Sequence, residues 1–432
     1  MESRSSSEKR LRDEAFMLLT YKDPLSLATL VSHLTSPNNA QRSQAEMLFN
    51  CCKKEFADAL CLTLARLLKD GPTTETRIRT VNLLRTILTH PESRIWPNLS
   101  EDVQTKLRSR FLAFYQHEIS KPISKTLCRL VSEIATQIYE DGEEWPELLD
   151  FLLRSVQSDS HKVQESALLV FADFPECGQL LIVNVLMPHV HTLYSTFLNR
   201  FASPSLSVRI AAYGAAIGLT HLFIYSEVPD RFQQLLLGMM ASLSQMLLCH
   251  EDYAQQGLEQ LIVLVMREPQ ILRPRLRIVV DGMLKIAEDQ RWKQKTKQYA
   301  VEFLIILAEA RYQAPKMMRT LPRQYIVRLI SIPVNILSFI EDDPAWHDVR
   351  NEEGVNAGKS IIYDNGMEWL SRLFNRPGWK YYCAHCFGVV TSILQCSRLA
   401  KASCGNYYPF CNCKGMLEGM FRAVPFYLCL AK

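Results

Sequence analysis

The sequence has little glycine: only 16 of its 432 residues, or about 4%, are glycine, where about 7% is usual. Phosphate-cradling loops depend on glycine, and none of the motifs GxxxxGKS/T, GxGxxG, HExxH or GxSxG occurs in the chain. Apolar residues make up 48% and charged residues 22%, a composition that excludes disorder and collagen. We therefore expect a folded, helix-rich protein that is not an enzyme and uses no cofactor.

The sequence also lacks a strong surplus of one charge. Lys and Arg number 49 against 45 for Asp and Glu, a formal net charge of +4. From Pro377 onward six residues are basic and one is acidic, which leaves 43 basic and 44 acidic residues before that point. A dedicated nucleic-acid binder carries a much stronger basic excess. We therefore expect no direct contact with nucleic acid. The surplus of basic residues belongs to the C-terminal tail.

No segment has the character of a signal peptide or a membrane span. Residues 1–18 mix acids with bases and lack an apolar core. Residues 177–199 and 232–250 have no Asp, Glu, Lys or Arg, but glutamines, histidines and serines interrupt both stretches. We interpret them as helices buried on most sides and expect no membrane insertion. His189 and His191 would point to different helix faces, so they make a poor metal pair.

The chain has 13 cysteines, and without a secretory signal they are expected to be reduced thiols. Seven of them lie between residues 383 and 432. Paired thiolates there could bind zinc, but the second pair has one intervening residue where zinc ribbons have two to four. We expect no metal site in the tail, and we expect the cysteines of the N-terminal helices to fill the core. The residues weighed are Cys383, Cys386, Cys411 and Cys413 for zinc, and Cys51, Cys52 and Cys61 for the core.

One helical pattern recurs along the chain. An anchor residue is followed by apolar residues at +3, +4 and +7, which places four side chains on one helix face. The anchors stand 35, 47, 40, 45, 46 and 42 residues apart, in the range of HEAT and armadillo repeats. The anchors are Ala45, Thr80, Leu127, Ala167, Ala212, Leu258 and Ala300.

A second amphipathic helix fits between successive anchors. These A helices are predicted at 55–69, 101–117, 145–157, 180–201, 230–248, 271–288 and 323–340, with breakers such as Gly71, Pro91 and Gly142 between elements. The pattern predicts an all-α, right-handed superhelical solenoid of about eight HEAT helix pairs, with A helices outside and B helices inside. The alternative is an irregular multi-helical enzyme domain.

Two charged features could contact a partner. Residues 341–354 are rich in acids, including Glu341, Asp342 and Asp343, and lack an apolar stripe. This acidic loop is either a solvated insertion or a contact for a basic partner surface. The second feature is a basic cluster at the start of a B helix, which is either a solvated helix face or a partner contact. The cluster consists of Arg291, Lys293, Lys295 and Lys297.

Between about residues 25 and 373 the sequence resembles the importin-beta (karyopherin-beta) family of nuclear transport receptors, and within it the importin-beta-3 or Ran-binding-protein-5 type. Residues 34–39 with 42–46 are similar to the first repeat of that family, and 75–85 and 97–105 to the second and third. The most specific stretches are 145–156 and 165–175, which are similar to the fourth repeat. Residues 272–274 and the acidic loop with Trp346 resemble the seventh and eighth.

The resemblance implies a carrier that moves between cytoplasm and nucleus through the pores of the nuclear envelope. It would bind cargo proteins through basic localisation segments and release them to the GTP form of the GTPase Ran. Phe-Gly nucleoporins would bind between the A helices. By position in the family, Arg77, Arg85 and the acidic residues Glu341, Asp342 and Asp343 would contact Ran.

The chain departs from the family after Leu373, where the tail is unlike it, and family members are more than twice as long. We therefore expect a truncated form with three parts: an N-terminal extension at 1–20, the solenoid at 21–376 and an atypical cysteine-rich tail at 377–432. Arg350 within the acidic loop weakens the expected Ran contact there. The alternative function is a HEAT scaffold that assembles a protein complex without a transport cycle.

Overall fold

A computed structural model gives the fold of the protein. It describes residues 2–20, 24–92, 94–118, 120–174, 185–220, 229–309, 317, 320–338 and 361–374. The acidic loop at 341–354 and the tail at 377–432 therefore lie outside the described residues, and so do the tail cysteines. No strand is found in the part of the chain that is described.

Seventeen α-helices are found among the described residues, and they confirm the predicted all-α class. Apart from the first helix, they alternate as A and B members of eight successive pairs, from α2–α3 to α16–α17. In chain order, α1 to α17 are Glu2–Thr20, Pro24–His33, Asn39–Glu55, Ala57–Asp70, Thr74–Thr89, Glu101–His117, Lys121–Glu140, Pro146–Val156, His161–Asp173, Val190–Phe201, Leu206–Gly218, Pro229–Cys249, Glu251–Arg267, Leu276–Glu288, Gln294–Glu309, Arg323–Ser338 and Ile361–Phe374.

Local sequence explains where several helices begin and end. The Asn38 side chain accepts hydrogen bonds from the backbone N–H groups of Ala40 and Gln41 and so caps α3. Thr73 caps α5 in the same way through the N–H of Thr76. After α7 the chain turns at Gly142, whose φ of 81° is in the left-handed region that glycine adopts without strain.

The predicted repeat pattern forms the buried core. The anchor quartets lie on the B helices, with Phe174 and Leu219 directly after the ends of α9 and α11. Their members are buried except for Leu48, Leu83 and Ile262, which are half-buried. Residues 127, 130, 131 and 134 on α7 are all 0% exposed, and so are 300, 303, 304 and 307 on α15. The +3, +4, +7 spacing therefore marks the helix face that packs against the neighbouring helices.

Two predicted A helices begin later in the structure than the sequence pattern indicated. The segment Pro269–Arg275 is a 3₁₀ helix and α14 begins at Leu276, because Pro274 has no N–H to donate within an α-helix. Another 3₁₀ turn, Met187–His189, precedes α10, and Pro188 lies within it. Residues 180–184 of that prediction lie outside the described residues.

The N-terminal extension predicted at 1–20 contains a helix that packs on the first repeat. Ala15 of α1 is fully buried, and the Phe16 and Phe56 rings lie 6.0 Å apart. Arg12 is 3.8 Å from the carboxylate of Glu55. The extension therefore covers the apolar edge of α3 and α4.

A stacked cation links two successive repeats. Arg108 of α6 places its guanidinium 5.8 Å from the Trp96 ring and 6.0 Å from the Trp145 ring. Trp96 precedes α6 and Trp145 precedes α8, and both indoles are almost fully buried. Arg108 also donates to the backbone carbonyl of Glu144 at 3.2 Å. Cation–π stacking at both rings fixes the start of one A helix against the next.

The helices form two compact units, Met1–Ser242 and Leu243–Lys432, and the division falls inside α12. In the first unit the B helices α5, α7, α9 and α11 pack side by side, and in the second α13, α15 and α17 do so. None of the described helices combines the length and apolarity that a bilayer crossing needs.

Candidate functional site

Arg77, the first residue predicted to contact Ran, lies on α5 and is already paired within the protein. Its guanidinium forms an ion pair with Glu118, which follows α6 and is buried. Its Nε also donates to the carbonyl of Leu68 at 2.7 Å. The Arg77 side chain is 23% exposed, so only part of the group faces solvent.

Arg85, the second predicted residue, lies two turns further along α5 and pairs with the next B helix. Its Nε donates to both carboxylate oxygens of Glu133 on α7, at 2.9 and 3.0 Å. Thr89 donates to the same carboxylate at 2.6 Å. The Arg85 side chain is 40% exposed. Arg77 and Arg85 thus project from one helix, and each is held by an acid of the following repeat.

The three acidic residues predicted to contact Ran, Glu341, Asp342 and Asp343, lie outside the described residues. The helices that flank their segment are described: α16 ends at Ser338 and α17 begins at Ile361. The Ran contact of all five residues stays a prediction.

Two of the four cations of the basic cluster are paired with acids of their own unit. Arg291 pairs with Asp289 at 2.6 Å, and Lys293 pairs with Asp252 of α13 at 2.7 Å. These hydrogen-bonded cations hold the pKa of both carboxyls below its usual range. Two carboxylates therefore offset half of the positive charge of the cluster.

The other two members of the cluster make no ion pair among the described residues. Lys295 lies 5.4 Å from the centre of the Tyr299 ring, and Lys297 donates to the amide oxygen of Gln290 at 3.2 Å. The cluster thus contains two kinds of cation: two held by carboxylates and two held by neutral groups.

Two arginines that the sequence analysis did not single out connect the last helix pairs. Arg328 of α16 donates to Glu288 of α14 at 2.7 and 2.8 Å and to Asp281 at 3.0 Å. The hydrogen bonds to Glu288 raise the pKa of the Arg328 guanidinium, and burial opposes them. The signal in the sequence is the separation: Glu288 and Arg328 carry opposite charges 40 residues apart, which is one repeat.

Arg372 of α17 makes the corresponding contacts between B helices. It pairs with Glu302 and Glu309 of α15, each at 2.8 Å. The Trp369 indole N–H also donates to Glu302 at 3.1 Å. Hydrogen bonding to Glu309 raises the pKa of Arg372. These partners are 63 to 70 residues apart in sequence, since the segment between α16 and α17 is longer than an ordinary repeat connection.

The described residues bring no nucleophile, base or metal ligands together. No group of three or more His, Cys, Asp or Glu residues among them could hold a metal ion. Cys52 and Cys61 are buried as predicted for core residues, and burial raises the pKa of each thiol to about 12; Cys51 is half-buried. What the described surface offers is ion-paired side chains along stacked helices.

Comparison with known proteins identifies these repeats. Residues 120–282 match the model of IPO5-like TPR repeats, and residues 289–378 match the model of the importin repeat. The chain is 19% identical over 360 residues to a probable importin-5 homolog of Dictyostelium discoideum. It is 23% identical over 293 residues to importin subunit beta-3 of Saccharomyces cerevisiae.

Solved structures of Kap121p share the fold. Kap121p bound to the extreme C-terminus of the phosphatase Cdc14p superposes with a TM-score of 0.67 at 21% identity, over 84% of this chain and 34% of that one. Kap121p bound to RanGTP gives 0.64 at 21% identity, over 84% and 32%. Kap121p bound to Nup53p gives 0.63 at 22% identity, over 80% and 32%.

The matched relatives are much longer than this chain. The match covers 82% of this chain but 33% of the Dictyostelium protein, and 67% of this chain but 25% of the yeast protein. The chain thus spans about a quarter to a third of the length of these relatives. The two repeat models, the HEAT-type helix pairs and the relatives agree, and the chain belongs to the importin-beta family, in its importin-beta-3 type.

Proposed function

We propose that this chain acts as a nuclear transport receptor that binds the GTP form of Ran and proteins with basic localisation segments. The observation that carries the proposal is the run of importin-type repeats matched from residue 120 to residue 378. Kap121p, which shares the fold, has been crystallised with RanGTP, Nup53p and Pho4p. In this role the chain moves between cytoplasm and nucleus and offers sites to Phe-Gly nucleoporins.

The proposed activity needs binding and no chemical step. Stacked helix pairs present long surfaces on which a partner protein or an extended peptide can lie. Release of cargo by Ran requires a coupling free energy between two binding sites, typically about 1–3 kcal/mol. Small shifts between neighbouring repeats can supply this coupling free energy. Ion pairs such as Arg85–Glu133 join one repeat to the next, so a shift of one repeat changes its contacts with the neighbouring one.

We further propose that Arg77 and Arg85 of α5, with Glu341, Asp342 and Asp343, contact Ran. Both arginines are paired with acids of the following repeat. A carboxylate of Ran would therefore either share each arginine with its present acid or displace that acid. Binding at α5 would then alter the contacts between α5 and α7 directly.

The first experiment measures binding of the full chain to immobilised Ran loaded with either a non-hydrolysable GTP analogue or GDP. We expect binding to the GTP form alone. Equal binding to both forms, or no binding by a folded sample, would favour a scaffold without a transport cycle. Circular dichroism of the same sample establishes that the helices are intact.

The second experiment tests the α5 contact without leaving one member of the Arg85–Glu133 ion pair uncompensated. The double substitution Arg85→Gln with Glu133→Gln removes both charges and leaves amides that can hydrogen-bond each other. We expect RanGTP affinity to fall about tenfold, the equivalent of about 1.4 kcal/mol. The matched control is Arg94→Gln with Asp141→Gln, an ion pair of 3.0 Å between residues that follow the ends of the same two B helices, α5 and α7. Equal losses in the two double variants would remove Arg85 from the interface.

A further inference from the structure

A cleft in the second unit has the composition of a peptide-binding site. It lies between α14, α15, α16 and α17 and has a volume of about 530 Å³, within the range of about 300–1,000 Å³ that is usual for ligand sites. Its apolar side chains are Ala287, Val301, Ile332 and Trp369, and all four are buried or nearly so. The cleft thus has an apolar floor with room for a small side chain above it.

Three amide side chains line the cleft. Gln294 and Gln298 of α15 and Asn335 of α16 line it, and among the described residues no hydrogen bond is found for any of the three side chains. Each amide offers a donor and an acceptor at once. A polypeptide backbone presents the same two groups at every residue, whatever its side chains are.

The spacing of these amides matches an extended chain. Gln294 and Gln298 stand one turn apart on α15, a rise of about 6 Å along the helix axis. Alternate residues of an extended peptide are about 6.6 Å apart and point to the same side. A peptide lying along α15 can therefore hydrogen-bond to both glutamines through successive backbone groups of one edge.

The charge at the cleft is positive. Lys297 lines it on the same face of α15, and among the described residues its hydrogen-bond partner is the neutral amide of Gln290. The acid in the lining, Glu288, is neutralised by Arg328 at 2.7 Å. A ligand with an acidic side chain gains an ion pair with Lys297, whereas a basic one meets an unpaired cation.

We propose that this cleft binds an extended segment of a partner protein in which an apolar side chain is followed by an acidic one. The apolar side chain lies on the floor near Trp369, the backbone pairs with Gln294 and Gln298, and the acid pairs with Lys297. The site selects against basic segments, so it is separate from the binding of basic cargo and of Ran. Its failure would leave the Ran experiments unaffected.

The test uses the full chain and two labelled peptides in fluorescence anisotropy. The probe is acetyl-Gly-Ser-Leu-Asp-Leu-Asp-Ser-Gly with a C-terminal fluorescein, and the control peptide has lysine in place of aspartate. We expect the acidic peptide to bind at least about tenfold more tightly than the basic one. Lys297→Glu is expected to weaken it about tenfold or more, since attraction becomes repulsion.

Lys295→Glu is the matched control. It makes the same charge change on the same helix, two residues away, but Lys295 lies over Tyr299 and does not line the cleft. We expect less than about a threefold effect from it, because exposed charges outside the contact are screened by salt. Both variants change solvent-accessible positions, and their thermal midpoints show whether the fold is retained.

Four results would overturn the proposal. The first is equal affinity of the two peptides, or no binding of either, and the second is an equal effect of the Lys295 and Lys297 variants on binding of the acidic peptide. The third is tighter binding of the acidic peptide by Lys297→Glu. The fourth is a dimer, detected by light scattering, that Lys297→Glu dissociates. The third would mean that an acidic segment of the chain itself fills the cleft, and the fourth that a second copy does.

Discussion

Two pairs of neighbouring B helices are held together by different means. In the first unit, α9 and α11 meet through small side chains, with Ala167, Ala212 and Ala216 all fully buried. In the second unit, α15 and α17 are joined by Arg372, which bridges Glu302 and Glu309. One contact excludes water by close packing, and the other holds charges that are still partly exposed.

The difference teaches that one repeat architecture can use contacts with opposite sensitivities. Close packing is insensitive to salt and fails when volume changes. Charged contacts tolerate changes of volume and weaken when a partner is neutralised or salt is added. The following predictions aim to break or sharpen this contrast, in order of decreasing effect.

The largest effect is expected from Phe171→Ala on α9. The Phe171 ring is fully buried and lies 5.8 Å from both Phe174 and Phe197. Removing it leaves a cavity among the close-packed aromatic side chains of α9 and α10 and should lower the free energy of unfolding by about 3–5 kcal/mol. Urea unfolding followed by circular dichroism measures it. Phe16→Ala, at a position 53% exposed, is the control, and a loss as large there would contradict the argument.

A smaller loss is expected from Arg372→Met. The substitution keeps the apolar stem but removes the guanidinium that bridges Glu302 and Glu309, at a cost of about 1–3 kcal/mol. Hydrogen exchange of α17 amides should accelerate, while exchange of α11 stays unchanged. Arg372→Lys keeps the charge but not the bidentate geometry, and it should retain only part of the protection of α17 amides against exchange. Full recovery would mean that charge alone holds the helix.

Salt should separate the two contacts without any mutation. At 1 M NaCl the screening length falls to about 3 Å, and the ion pairs between α15 and α17 should weaken. We expect faster amide exchange in α17 and no acceleration in α11. If both helices respond alike, the contrast between packing and charge is not what distinguishes them.

The smallest effect concerns acid and Asp281 on α14. A hydrogen bond from Lys285, with another from Arg328, lowers the pKa of this carboxyl in the folded protein. Because its pKa is lower in the folded state, the ionised Asp281 stabilises the fold at pH values above its unfolded-state pKa of about 4. This stabilisation is lost as the pH falls through the folded-state pKa. Asp281→Asn should therefore cost about 0.5 kcal/mol at pH 6 and progressively less as the pH falls from 6 through the folded-state pKa. Exposed Asp150→Asn is the control; a constant cost across this range would exclude the ionic explanation.

The sequence predicted the helix pairs well because apolar spacing decides which helix face is buried. Anchors such as Ala167 and Ala300 lie in the core as expected, and α6 has the bounds that the pattern predicted. The same pattern placed the start of α14 too early. The apolar spacing continues through Pro274, although the backbone there is a 3₁₀ helix and not an α-helix.

The polar contacts were harder to predict, because their partners are set by which helices become neighbours. Arg77 and Arg85 were identified by resemblance, yet nothing in the local sequence assigns Glu118 and Glu133 to them. The separations are informative in retrospect: 41 and 48 residues equal one repeat. A search for opposite charges one repeat apart would also have found Arg328, but not Arg372, whose repeat is lengthened by the acidic segment.

The stacking of Arg108 between Trp96 and Trp145 gives the protein an internal optical reporter. The two indoles belong to successive repeats, and they are two of only six tryptophans in the chain. Indole emission depends on a nearby cation, so a ligand that alters the spacing of these repeats changes the emission of a third of the tryptophans. Rearrangement between the two repeats can thus be followed in solution without attaching a dye.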